Sequence, residues 1–112
     1  MSISFIILIG LILIMLVDFL CFDRLLKTEY EKHKEQWIKD GKPRGYFWWP
    51  YESPLFTGYI AQLRLTIHWL FKTPQWIKHD VKARKTLQIN RICTLIVYVG
   101  ILVVVINELR IN

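Results

Sequence analysis

The chain has 112 residues and a formal charge of +6, with 54% hydrophobic and 14% aromatic residues. The length suits one domain. Two long apolar runs, one at each end, commit about 40 residues to lipid, which excludes a large separate soluble core.

The first run is Ile3–Val17, extendable to Phe22. Residues 3–22 make about 30 Å of helix, one bilayer crossing. A cleaved signal peptide would want Lys or Arg before the run and a small-residue site after it. Met1-Ser2 precede the run and Asp18-Phe19-Leu20-Cys21-Phe22-Asp23 follow it, so an uncleaved span is expected. Asp18 is the one acid within reach of the apolar layer. It lies four residues from Phe22, about 6 Å, shallow enough to reach the headgroups.

Beyond the span, Leu26, Tyr30, His33 and Trp37 recur on one helical face. Glu29, Glu31, Lys32, Lys34 and Glu35 surround that stripe and read as solvated. Gly41 offers a C-terminal cap and Pro43 a stop, so the first helix is expected to extend to about Asp40. Residues 41–53 then form an aromatic turn region, broken by prolines and glycines. Its cluster is Tyr46, Phe47, Trp48, Trp49 and Tyr51. Tyr and Trp favour the headgroup layer, so the cluster reads as a membrane anchor or a plug against neighbouring helices. A ligand or partner platform is the functional alternative.

Ser53-Pro54 predicts a helix start, with Ser as N-cap. Residues 54–72 are apolar at 56, 60, 63, 67 and 70–71, with Thr57, Arg64 and His68 on the other side. Leu65 and Trp69 blur that polar side. An in-plane interfacial amphipathic helix fits best, with a re-entrant or third spanning segment as the alternative. Arg64 and Trp69 join the aromatic cluster as candidates for membrane-interface or partner contact. Thr73-Pro74 repeats the start signal. From there a basic helix over 74–91 is expected to run unbroken into the second span, 87–106, whose apolar run is Ile92–Ile106.

Gly10 and Gly100 fall at similar depth in an antiparallel pair of spans. Small residues let helix backbones approach, so these two are expected to face one another. A competing seam pairs Asp18 with Arg91. Arg91 lies about 180° around the helix from Gly100, so a straight pair cannot satisfy both. Arg91 can also snorkel to the interface.

The charge distribution sets orientation. Six basic residues lie in 23–42 and six more in 72–91, against Arg110 alone on the outer flanks. By the positive-inside rule the middle is cytoplasmic and both termini lie outside. Cys21 and Cys93 then sit at the reducing side, where a structural disulfide is not expected.

His33, His68 and His79 lie on three predicted segments without ligand spacing, so no metal site is expected. No phosphate-binding loop, dinucleotide fingerprint or nucleophile elbow occurs. Enzyme activity and a cofactor therefore have no positive support. Topology and attraction to anionic headgroups, about 1 kcal/mol per Lys or Arg, account for the basic middle. Interleaved glutamates dilute any phosphate-binding stripe, and no nucleic-acid partner is expected.

The pattern Tyr30-x-x-His33-x-x-x-Trp37-x-x-x-Gly41-x-Pro43, followed by the aromatic cluster, resembles the universal stress protein B-like family of small bacterial two-span inner-membrane proteins. Shared are a terminal span, a Trp–Gly–Pro turn with an aromatic after it, an amphipathic middle and a second terminal span. The resemblance implies a bacterial inner (plasma) membrane and a link to stress tolerance; in that membrane the charge distribution makes both termini periplasmic. It implies no known catalytic site and supplies no functional residues.

The expected fold is thus an all-α membrane protein: an antiparallel two-helix transmembrane hairpin with a cytoplasmic, interfacial amphipathic helix between the spans. The expected function is a non-enzymic interaction or regulatory protein. Its partners would be the anionic lipid bilayer and itself or another membrane protein. The rivals are an accessory subunit of a larger membrane complex and a holin-like self-assembling pore. A pore should line its spans with polar residues, and these spans offer Ser4, Asp18, Thr94, Tyr98 and Asn107.

Overall fold

A computed structural model describes residues 3–111. All regular structure among them is helical. The order is α1 (Ile3–Lys32), α2 (Lys34–Lys39), α3 (Leu55–Phe71), α4 (Gln75–Lys78) and α5 (Val81–Ile111). At 30 residues, α1 is about 45 Å long, more than the lipid core needs.

The two long helices lie side by side in opposite directions. Near the start of α1, Ser4 accepts a hydrogen bond from Asn107 Nδ2 at 3.0 Å. Further along, Asp18 is met by Asn90 and Thr94. Both helices are long and apolar enough to cross a membrane, yet only 11% and 17% of their apolar windows are buried inside the protein. The apolar surface left over far exceeds what a soluble monomer shows to water.

The core sits elsewhere. Phe22, Leu25 and Leu26 of α1, Trp37 of α2, Leu65 and Trp69 of α3, Trp76 and Ile77 of α4, and Ala83 and Leu87 of α5 form one buried cluster. Every helix contributes a face to it. Large aromatic side chains bury much area per residue, which lets so short a middle segment order five helix ends around one centre.

The first helix does not run unbroken to Asp40. It breaks at His33, whose φ of −136° and ψ of 52° are not helical. The break turns α2 so that Trp37 enters the core, and its indole N–H donates to the Pro43 carbonyl at 3.1 Å. Gly41 ends α2 as expected: its φ is +94°. Its N–H reaches the Ile38 carbonyl and that of Lys42 reaches Trp37, both at 3.1 Å, so the last orphan carbonyls are satisfied.

The helix expected from residue 74 is also divided. Asp80 Oδ1 accepts the Ala83 N–H at 3.1 Å, an N-cap that starts α5 afresh and leaves α4 as a separate turn. Ser53 is not the cap of α3. Pro54 holds that position, and Ser53 Oγ donates instead to the Lys42 carbonyl at 2.8 Å.

Candidate functional site

The middle of the chain is organised around Asp23, just past the end of the first apolar run and 6% exposed. Its carboxylate accepts three consecutive backbone N–H groups: Tyr46 and Phe47 at 2.7 Å and Trp48 at 3.0 Å. Three aligned donors disperse the charge, which allows burial without a cation. The Gly45 N–H closes the turn on the Trp48 carbonyl at 2.8 Å. A methyl group at position 45 would strike that carbonyl and lie 2.5 Å from Asp23 Oδ1. Glycine is needed here for lack of space.

This anchor splits the aromatic cluster in two. The Tyr46 ring stacks on Phe19 at 3.9 Å between centroids, and its hydroxyl is 3.0 Å from Thr66 Oγ1. Trp48 packs against the core. Phe47, Trp49 and Tyr51 are exposed. Beneath them, buried Arg44 lies 4.1 Å from the Trp49 ring and 4.7 Å from that of Tyr59, a cation–π arrangement. Its carbonyl accepts from Gln62 Nε2 at 2.9 Å. Asp23 and Arg44 thus hold the loop, and both escaped the sequence reading. Their signal was a lone Asp ending an apolar run and a lone Arg entering an aromatic cluster.

Arg64 and Trp69 do not share one surface. Arg64 is exposed, whereas Trp69 is fully buried in the core. Helix α3 turns Gly58, Ala61, Gln62, Leu65 and Trp69 inward. Phe56, Ile60, Leu63, Ile67 and Phe71 of the predicted apolar stripe are exposed. The stripe is therefore the outward face, and Leu65 and Trp69 belong to the protein-facing side.

The seam between α1 and α5 is neither of the two expected. Gly10 faces open space, and Gly100 meets the Leu11 side chain. Leucine fills the gap that a facing glycine would have left. Arg91 turns away from Asp18: its Nε donates to the Trp69 carbonyl at 2.8 Å and its Nη2 to Thr73 Oγ1 at 3.1 Å. Asp18 instead receives Asn90 Nδ2 and, at 2.9 Å, Thr94 Oγ1. Residues 90 and 94 are stacked on one helical face, and position 91 is about 100° away from 90.

Glu29 is not on a solvated face. It is 0% exposed, and its Oε2 accepts the Trp76 indole N–H at 3.0 Å. Burial, with the Asp40 carboxyl group beside it, pushes the Glu29 carboxyl up to about 9, so it keeps its proton at neutral pH. Nearby, Tyr30 donates to Glu52 Oε1, while Lys34 Nζ is 2.6 Å from Glu52 Oε2. The lysine holds the Glu52 carboxyl below its usual range. His33 stacks on Trp76 at 4.9 Å. Among the described residues, no three His, Cys, Asp or Glu side chains gather into a metal-ligating group.

No family model matches the chain, and neither a curated protein nor a solved structure matches it.

Proposed function

We propose that this is a non-enzymic integral membrane protein that works by binding another membrane protein. In this reading α1 and α5 cross the bilayer as an antiparallel hairpin over 3–22 and 87–106. Residues 23–86 form a cytoplasmic cap seated on the interface. One observation carries the membrane placement: the exposed apolar surface. It covers both long helices and recurs on the outward face of α3, where Phe56 is 75% exposed, Leu63 60% and Phe71 80%. A helix with one face in a protein core and an apolar face outside it is stable where that second face meets acyl chains. The basic excess flanking the spans favours a cytoplasmic middle. The bacterial inner membrane and the link to stress tolerance belong to the same proposal, through the family resemblance.

The pore reading loses its lining. Ser4 is bonded to Asn107, and Asp18 to Thr94, so four of the five residues named as a possible pore lining face each other across the seam. Labelling with a membrane-impermeant maleimide tests the topology in a background where Cys21 and Cys93 are serine. Ser2→Cys and Asn112→Cys should react from the periplasm, and Glu31→Cys only after the membrane is permeabilised. The reverse pattern overturns the orientation. Extraction into native nanodiscs tests the role: a stoichiometric membrane-protein companion is expected, and a lone chain without one contradicts the interaction reading.

A further inference from the structure

Beyond the core, at the α1–α2 joint, lies a cleft of about 560 Å³ walled by the joint on one side and α4 on the other. That volume is in the range of small-ligand sites, roughly 300–1,000 Å³. Three lysines line it, Lys32, Lys34 and Lys39, against one carboxylate, Glu35. Lys34 is occupied by Glu52. Lys32 and Lys39 are exposed, and no carboxylate of the described residues lies within ion-pair distance of either. Two glutamates that dilute the charge along the sequence are withdrawn in space. Glu29 is buried behind Trp76, and Glu52 is turned to Tyr30 and Lys34. The stacked His33 and Trp76 rings form a flat wall, and Gln75 pairs with His79 at 3.2 Å along α4.

We propose that this cleft binds a phosphate-bearing anion through the ammonium groups of Lys32 and Lys39. Two unpaired ammonium groups suit a dianion better than a single carboxylate, since each charge then finds a partner. The side-chain amides of Gln36 and Gln75 also line the cleft; with one contact spent on Asp40 and on His79, each has one further N–H to donate. Phosphate can come from a lipid headgroup or from a soluble molecule. Lys32 is ten residues past Phe22, about 15 Å along the helix, whereas the headgroup layer reaches only about 5–8 Å beyond the hydrocarbon. That distance favours a soluble phosphate. A soluble source follows only if the chain spans the membrane twice; the cleft itself is independent of that reading.

The probe is pyrophosphate, titrated by calorimetry at constant ionic strength into the full-length protein in nanodiscs of neutral phosphatidylcholine. Saturable binding of one pyrophosphate per chain is expected. Lys32→Ala and Lys39→Ala should each weaken it about tenfold, and Lys27→Ala, exposed on the same helix but outside the cleft, should leave it unchanged. Circular dichroism identical to wild type establishes that the variants are folded, and Lys32→Gln and Lys39→Gln repeat the test with a longer side chain. In nanodiscs containing phosphatidylglycerol, unchanged affinity assigns the site to soluble phosphates, and competition assigns it to headgroups. Absence of saturable binding, or equal weakening by Lys27→Ala, overturns the proposal, whichever way the labelling and companion experiments turn out.

Discussion

Replacing Asp23 with alanine removes the acceptor of three backbone N–H groups at once. Hydrogen bonds to a charged group contribute roughly 1.5–3 kcal/mol each, so three bound the loss at roughly 4.5–9 kcal/mol. Two effects reduce it. Removing the carboxylate relieves its own desolvation, since Asp23 is 6% exposed. The loop is also open enough for water to reach the freed amides, with Phe47 55% exposed. We expect a net loss of about 3 kcal/mol, confined to the loop. The Tyr46–Phe19 stack and the Tyr46–Thr66 hydrogen bond should loosen with it. Amide hydrogen exchange read by NMR measures this directly. Tyr46, Phe47 and Trp48 should exchange roughly 100-fold faster, with the amides of α1 and α5 unchanged. Asp23→Asn keeps one acceptor oxygen and should fall between. Exchange at these three amides within about threefold of wild type, under 1 kcal/mol, would mean that the turn closed by Gly45 on Trp48 holds the loop unaided and that Asp23 is not its anchor.

The seam gives a second contrast. Gly100→Leu drives a side chain into Leu11 and should cost about 1–3 kcal/mol in detergent-induced unfolding. Gly10→Leu meets open space and should stay within about 0.5 kcal/mol; equal costs would restore the facing-glycine seam. A third concerns pH. The Glu29 carboxyl is raised from 4.5 to about 9, so the folded state binds the extra proton between those values. Stability should therefore fall as pH rises through that window. Glu29→Gln keeps an acceptor for the Trp76 indole and never ionises, so its melting temperature should exceed wild type at pH 8 and vary less with pH. An unchanged slope in that variant would place the pH dependence on another group.

What could be read along the chain was whatever depends on neighbours in sequence. Transfer of apolar side chains into lipid is nearly additive, so 3–22 and 87–106 stood out as helices long and apolar enough to span. Gly41 ended α2 because a left-handed cap is a local matter, and the Ser53-Pro54 and Thr73-Pro74 breaks bracket α3, Leu55–Phe71. One failure was local: Asp80 caps Ala83 three residues on and divides the helix expected from 74. The others involve partners far away in sequence. Glu29 looked solvated among lysines, but Trp76, 47 residues on, covers it. Asp23 takes donors 23 to 25 residues away, and the break at His33 follows from the needs of Trp37 in a core built by all five helices. The register of α1 on α5 was beyond reach for the same reason. A rotation of about 100° decides whether Asp18 meets Arg91 or Asn90, and only the packed tertiary structure selects that rotation.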